Sequence, residues 1–413
     1  MNSRIISIDV LRGFALLGIL VMNITFFAMP LPAYLNPFVL GSSVLDQVIF
    51  AVKHVLADQK FMAIFSMLFG ASTLLFVQGA AKKGEKAGWR YYSRNLWLLV
   101  IGLIHSVFIW HGDILVLYAL CSLVLFFFRN LAPRVQLTLG VVIYLIPVLL
   151  NVYIHSSFMD QFSPSEQQSL ANHWHPNRAG IQKEMNAFRG SYAAQIDFRL
   201  ETMGVGMGTA SGKEGSNLAS DLTGLTFLVD FLGRALGMML IGMALFSQQV
   251  FSNLKERSFY LNLVKYGMGV GISLSSMGIA LYYYHDWAWP YSVFLGRLPN
   301  TLATPFTALG YVGLVMLWTR SSYLSDLQER LKWVGKSALT CYLAQSVIAT
   351  FIFYEIGLGL YGDVNRGGQL VVMALIWGIL LVLAPLWLKR FQYGPVEWLW
   401  RSLTYFRWMP LKK

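Results

Sequence analysis

Apolar windows recur along this chain near residues 12–30, 60–80, 95–111, 114–129, 135–156, 223–246, 259–283, 301–319, 333–355 and 369–388. Each approaches the ~20 residues that an α-helix needs to cross a ~30 Å hydrocarbon core. Backbone groups in lipid find no water to bond, so runs of this kind become helices. The pattern predicts an all-α polytopic membrane protein, with about ten transmembrane helices in one bundle. An even number of crossings puts both termini on one side. With the N-terminus inside, the cytoplasmic tails and loops hold 20 Lys and Arg and the opposite side holds 8. That asymmetry predicts cytoplasmic termini. The first run is long and lacks a small-residue cleavage site, so it reads as an uncleaved helix rather than a signal peptide.

Residues 1–413 read as a single domain with two extramembrane pieces. The first is an extracytoplasmic loop insertion at 157–222. It begins polar and ends in a Gly/Ser-rich stretch from Gly204 to Gly212 that reads as flexible. The second is a C-terminal tail at 390–413, rich in Trp and basic at its end, read as lying on the inner interface. Residues 43–57 read as a short amphipathic helix at the outer interface. No internal repeat is evident, which weighs against an inverted-repeat transporter.

Composition supports this class. The chain is 56% hydrophobic and 13% charged, with a mean hydropathy of +0.54, whereas a soluble domain is about a quarter charged. The net charge of +12 follows from basic inner loops and gives no reason to invoke nucleic acid. Cys121 and Cys341 both lie in apolar runs and suggest neither a disulfide framework nor a metal site.

Candidate chemistry comes from polar residues inside apolar runs, which are costly in lipid and mark functional sites. The most informative span is Asn95–Arg129, two apolar runs joined by the hinge His111-Gly112-Asp113. His105 lies inside the first run, ~15 Å from its start and so near the midplane. It reads as a general base or proton relay, or as a helix-to-helix hydrogen bonder. Asp113 reads as an N-cap of the following helix, able also to orient an imidazole. Asn23, ~16 Å beyond Arg12 at helical rise, reads as interhelical glue or a substrate contact. Asp9 and Arg12, three apart, share a helix face and pair at the inner mouth, either as a surface ion pair or as an anion-binding entrance. Lys60 stands at the outer end of its helix, where it would snorkel. Asp230 and Arg234 read as a structural pair. Glu397 and Arg401 read as a local pair, with Arg401 reaching a phosphate-bearing ligand as the alternative. Ser337, Thr340, Cys341 and Gln345 form a polar stripe on one helix. Phosphate-binding loops, nucleophile elbows and metal-spaced cysteines are absent from the sequence.

Six stretches carry a family resemblance: IDVLRGFALLGILVMNI (8–24), QKFMAIFSMLFGAS (59–72), GLIHSVFIWHGDILVLYAL (102–120), LGMMLIGMALF (236–246), GKSALTCYLAQS (335–346) and YGPVEWLWRSLTY (393–405). With these, the chain resembles the YeiB family of bacterial inner-membrane proteins. That family looks like a branch of the transmembrane acyltransferase superfamily, which includes the lysosomal heparan-glucosaminide acetyltransferase. The shared opening is an Asp-x-x-Arg-Gly start to helix one, here Asp9 to Gly13, with a polar residue mid-helix, here Asn23. The catalytic histidine of the lysosomal branch has no counterpart here; His54, the nearest, fits neither spacing nor context. Cys341 stands where the family usually has Asn.

The resemblance implies an acyltransferase of the bacterial inner membrane. It would move an acyl group, acetyl above all, from cytoplasmic acyl-CoA to a hydroxyl or amine at the outer face. The roles, read from this chain's own polar residues and not carried over from the lysosomal enzyme, are His105, Asp113 and Asn23 in catalysis, and Arg12, Asp9, Lys60, Gln345 and Arg401 in binding the donor. No metal is called for. The partners are the lipid bilayer, acyl-CoA and an extracytoplasmic acceptor (a sugar, lipid or small metabolite), with a homodimer left open. The competing reading is a transporter or flippase for a small amphipathic metabolite. The catalytic reading predicts a hydrated tunnel between helices one, three and four.

Overall fold

Small residues set the helix crossings. A methyl group on Gly13 would run into the backbone oxygen of Leu331, and one on Gly335 into that of Asp9. Gly70 and Gly242 meet the backbones of Met239 and Met67 in the same way. Backbones that touch at such points give the close, van der Waals-driven helix contacts typical of membrane bundles.

In the computed structural model, residues 6–41, 43–82, 84, 86–158, 163–174, 178–206 and 218–413 are described. The helices are α1 (Ile6–Ala28), α2 (Leu31–Leu35), α3 (Val44–Leu56), α4 (Lys60–Ala81), α5 (Ala87–Phe108), α6 (Leu115–Leu125), α7 (Pro133–Phe158), α8 (Pro164–Trp174) and α9 (Arg178–Phe188). They continue with α10 (Tyr192–Gly206), α11 (Leu218–Ser247), α12 (Arg257–Tyr284), α13 (Trp289–Tyr291), α14 (Leu298–Trp318), α15 (Ser325–Lys336), α16 (Ala338–Phe353), α17 (Arg366–Arg390) and α18 (Pro395–Tyr405). The described residues contain no strand, only the isolated bridge Phe391–Lys412. The chain is an all-α, multi-pass membrane protein.

Six stretches are long and apolar enough to cross a membrane: Ile6–Ala28, Val44–Ala81, Pro133–Ser157, Leu225–Ser247, Ser292–Trp318 and Arg366–Arg390. A seventh is added if α15 and α16, bent by 90° at their junction, count as one span. The windows at 95–111 and 259–283 fall on α5 and α12, which have the length, 22 and 28 residues. The window at 114–129 holds a shorter apolar helix, Leu115–Phe128, only ~21 Å at helical rise.

The window at 333–355 is not one helix. It breaks at Ser337, and the break has a visible cause. Glu397 of α18 accepts from the backbone N–H of Leu339 (2.7 Å) and Thr340 (3.1 Å), and also holds the Thr340 hydroxyl. A carboxylate from another helix thus caps α16 as a new start, satisfying orphan N–H groups. Burial pushes the Glu397 carboxyl up, and these hydrogen bonds pull it back. Glu397 and Arg401 therefore do not pair: Arg401 is exposed and lies over the Tyr393 ring at 4.6 Å.

Helix α3 fulfils the amphipathic reading in inverted form. Val44, Leu45, Val48 and Val52 face outward, while Asp46 is buried. The 157–222 insertion supplies α8, α9, α10 and the first residues of α11. Of its Gly/Ser-rich stretch, 207–212 lie outside the described residues. The insertion is tied to the end of the bundle where α1 and α16 finish: Leu31 N–H donates to Glu184 (3.2 Å), and Glu355 N–H donates to the Phe188 carbonyl (3.1 Å). The C-terminal tail docks at the other end, with Trp400 donating to the Arg94 carbonyl at 2.7 Å.

Candidate functional site

His105 occupies the last turn of α5, which ends at Phe108. Helix α5 begins at Ala87, eight residues before the apolar run, so His105 sits at the tip of a short hairpin rather than mid-helix. The hinge folds back tightly because Gly102 leaves room: a methyl group there would come within 2.8 Å of the Val116 nitrogen and 3.1 Å of the Asp113 carboxylate. Asp113 is thereby brought beside the imidazole. His105 Nδ1 and Asp113 Oδ1 are 2.7 Å apart, and both side chains are 1% exposed. The other carboxylate oxygen accepts from Val116 N–H at 2.8 Å, the N-cap role read from the sequence. Tyr342 of α16 reaches the carboxylate at 3.5 Å, and its ring lies 5.4 Å from the imidazole.

A carboxylate accepts, so in a neutral imidazole held this way Nδ1 carries the hydrogen and Nε2 the lone pair. Nε2 is buried and has no hydrogen-bond partner. A base oriented by an acid and left open at its far nitrogen is the arrangement of hydrolase and transferase dyads. Around it, Trp110 stacks on Phe27 at 4.0 Å, with its ring 6.5 Å from the imidazole. Helix α10 closes the top: Tyr192 donates to the Phe108 carbonyl (2.7 Å) and Arg199 to that of Val107 (3.2 Å).

Asn23 is half-buried and makes no hydrogen bond to any described residue. It lies one turn before Phe26 and Phe27, the α1 residues that pack on Trp110, and so on the dyad's side of α1. Gln345 lies one turn from Tyr342 on α16 and donates to the Leu16 carbonyl at 3.3 Å.

The other residues expected from the sequence to bind a donor divide into two groups. At the opposite end of α1, Asp9 and Arg12 pair at 3.3 Å, and Arg12 also donates to the Gly335 carbonyl (3.4 Å) and Ser72 (3.2 Å). Asp9 is buried, so this is no surface pair. One turn along α4 from Ser72, Phe76 lies under the Arg94 guanidinium at 5.4 Å, and Trp400 flanks that guanidinium at 4.4 Å. Arg94 is within electrostatic reach of both Arg12 and Arg401. Three guanidiniums thus gather at one mouth of the bundle, where Asp9 pairs with Arg12.

Lys60 belongs elsewhere, and the snorkelling reading is corrected. It is 0% exposed. Its ammonium donates to the His54 carbonyl at 2.8 Å and to Asn300. Asn300 in turn donates to Asp58 (3.0 Å), which accepts from Tyr34 (2.6 Å). A lysine with this many partners has no need to reach water. Nearby, Asp230 pairs with Arg234 as the sequence predicted, and also with Arg297, each at 2.5 Å. Gln59 accepts from Arg234 at 2.5 Å.

Neither of two cavities found among the described residues is the tunnel expected between helices one, three and four. An open cavity of about 200 Å³, lined by Phe259, Tyr266 and Phe306, lies between α12 and α14. A void of about 10 Å³, room for one water, lies among Gln59, Ser66, Tyr144 and Arg234. Neither reaches His105. Among the described residues no cluster of His, Cys, Asp and Glu is placed to hold a metal. Sequence reasoning missed Tyr342, Trp110 and Arg199 as neighbours of these sites, whereas Arg94 ends the basic 81–94 loop that it set beside Arg12.

The family model described as a protein of unknown function (DUF418) matches residues 245–407. The chain is 32% identical over 408 residues to the uncharacterized protein YeiB of Escherichia coli (strain K12), covering 97% of this chain and 96% of that protein. The chain belongs to the YeiB family. It is also 30% identical over 421 residues to the uncharacterized protein YxaH of Bacillus subtilis (strain 168), covering 100% of this chain and 97% of that protein. A third relative, an uncharacterized 39.9 kDa protein in an amylase 3' region of Bacillus acidopullulyticus, is 25% identical over 416 residues. No solved structure matches the chain. The likeness to YeiB runs over nearly the whole length and so reaches beyond the 245–407 match, which holds Tyr342 and Glu397 but not the dyad.

Proposed function

We propose that this member of the YeiB family is an acyltransferase of the bacterial inner membrane, with both termini cytoplasmic. It transfers an acyl group, acetyl above all, from cytoplasmic acyl-CoA to an acceptor hydroxyl or amine at the outer face. The observation that carries the reading is the buried, unpartnered Nε2 of His105, with Nδ1 held by Asp113. The resemblance to the transmembrane acyltransferase superfamily supplies the reaction class.

In this reading the acceptor O–H or N–H gives its proton to Nε2 of His105 as its oxygen or nitrogen attacks the thioester carbonyl. Asp113 fixes the tautomer and stabilises the imidazolium that forms. Asn23, with no partner of its own, is placed to donate to the carbonyl oxygen as charge develops there. The C–S bond breaks, the coenzyme leaves as thiolate, and the imidazolium returns the proton to it. Arg12, Arg94 and Arg401 supply charge for the donor's phosphates at the cytoplasmic mouth. Arg12 to Phe27 is ~22 Å at helical rise, the distance over which the donor's extended arm carries the acyl group. Lys60 takes no part in binding the donor.

Acetyl-CoA titrated into the full-length protein in detergent is expected to raise the thermal midpoint, and Arg94→Gln with Arg401→Gln to weaken that effect at least ~10-fold. Absence of any shift at millimolar acetyl-CoA, with a folded sample, overturns the donor assignment. The transporter reading draws on the second buried network, since Asp58, Lys60, Asp230, Arg234 and Arg297 are ionisable groups of the kind that line ion and substrate paths. Counterflow in proteoliposomes without acyl transfer would favour it.

A further inference from the structure

Five buried side-chain atoms without a hydrogen-bond partner crowd the region under α9 and α10. They are His105 Nε2, Trp110 Nε1, His111 Nδ1, Arg199 Nε and the Tyr354 hydroxyl. Rings connect them: Phe26 lies 5.3 Å from Trp110 and 4.8 Å from His111, and Phe188 lies 5.7 Å from His111 and 4.5 Å from Tyr354. Buried polar atoms are nearly always bonded, so a group of open ones needs an explanation.

Arg199 is the most unusual of the five. It is 1% exposed. Its terminal nitrogens donate to the Val107 carbonyl and to Gln195, its guanidinium lies 5.6 Å from the Tyr354 ring, and no described carboxylate pairs with it. Arg234, buried as deeply, is paired with Asp230, and Arg366, which donates to the Ala33 carbonyl, at least lies within electrostatic reach of the Asp46 carboxylate. A buried guanidinium without a counter-ion is expensive, and a ligand anion would offset that cost.

We propose that Arg199 is the anion-binding residue of the acceptor site. The acceptor then carries a carboxylate or phosphate that pairs with Arg199 and a hydroxyl or amine that faces Nε2 of His105. Arg199 bonds the carbonyl of Val107, two residues past His105, whose Cα is at most ~8 Å away. The proposed ligand is a small molecule that carries both groups, such as a hydroxy acid, an amino acid or a glycerol phosphate. A glycerol phosphate is available free or as a lipid headgroup. The inference rests on His105 being the base of the proposed reaction. It also makes α10, whose Tyr192 and Arg199 cap the last carbonyls of α5, the element that must move for a ligand to enter.

The test uses the full-length protein and no acyl donor. Lactate and glycerol 3-phosphate are titrated in detergent, with glycerol as the neutral control, and phosphatidylglycerol is added to zwitterionic nanodiscs as the lipid source. At least one anionic probe is expected to raise the thermal midpoint by ~2 °C or more where glycerol does not. The shift should survive in Arg94→Gln/Arg401→Gln, which disables the other arginine cluster. It should weaken at least ~10-fold in Arg199→Gln. If that variant does not fold, hydrogen exchange on the wild-type protein decides: a bound anion should slow exchange at residues 105–110 and 195–203. Equal response to glycerol, or protection only around Arg94 and Arg401, overturns the proposal. Arg199-dependent anion binding without acyl transfer keeps the site and removes the enzyme. Transfer to neutral acceptors, indifferent to Arg199→Gln, keeps the enzyme and removes the site.

Discussion

Two polar networks are buried in this bundle, and they are built on opposite principles. Around Asp230 every charge has an answer: Arg234 and Arg297 share its carboxylate, and Gln59 takes a further donor of Arg234. Around His105 the imidazole is held from one side, and its far nitrogen is left open. A closed network returns its desolvation cost as folding stability and has nothing left to offer a ligand. An open one leaves binding capacity unused in the resting protein.

The sharpest way to break the comparison is to open the closed network. Arg234→Ala leaves the Asp230 carboxylate short of a partner inside the bundle, and the expected loss is ~3–5 kcal/mol of stability. It should appear as a collapse of the monodisperse yield and of the thermal midpoint in detergent. A variant that purifies with an unchanged midpoint would mean that water already supports Asp230, and the contrast would fail. His105→Ala is the counterpart. Transfer activity should fall by ~10²–10⁴-fold, while the thermal midpoint moves far less than for Arg234→Ala, because only one hydrogen bond of the imidazole is lost. Full transfer activity in that variant would remove the base from the mechanism.

The sequence made parts of both networks legible. Ionisable residues within apolar runs pointed to His105, Asp113, Asp230 and Arg234, and helical spacing paired Asp230 with Arg234 and Asp9 with Arg12. It could not reveal Arg297, because that partner comes from another helix 67 residues away. Tyr342 stayed hidden because a tyrosine inside an apolar run reads as packing, although its hydroxyl reaches Asp113. Lys60 was misplaced for a related reason. A lysine at a helix end snorkels when nothing opposes it, and Asn300, which opposes it, is 240 residues distant. The break at Ser337 was invisible because its cause, Glu397, lies on α18.

That break supplies a smaller perturbation. Glu397→Ala removes the acceptor for two N–H groups of α16, and losing a cap of this kind costs about 1–2 kcal/mol. Since α16 carries Tyr342 and Gln345, the variant should also loosen the side of the dyad nearest Asp113. Faster hydrogen exchange at residues 338–342 is the expected reading. Unchanged exchange there would mean that packing of α15 on α1, through Gly13 and Gly335, suffices to keep the bend.

The smallest effect is expected in the roof. Glu184 on α9 accepts from Tyr361 (2.8 Å) and from Leu31 N–H (3.2 Å), yet burial pushes its carboxyl above the ordinary value, outweighing both hydrogen bonds. The folded roof therefore holds a proton more tightly than the unfolded chain does. Its contribution to stability is complete below the unfolded value, near 4.5, and declines as pH rises through the raised folded value. Glu184→Gln keeps an acceptor and removes the charge, so the protection of α9 relative to the intrinsic exchange rate at each pH should lose its dependence on this carboxyl, and at neutral pH it should rise slightly. The Asp230 region, with its carboxylate paired to two guanidiniums, should show no such gain from an amide; Asp230→Asn should destabilise it. If the two amide substitutions shift stability in the same direction, the distinction between a closed network and an open one is lost.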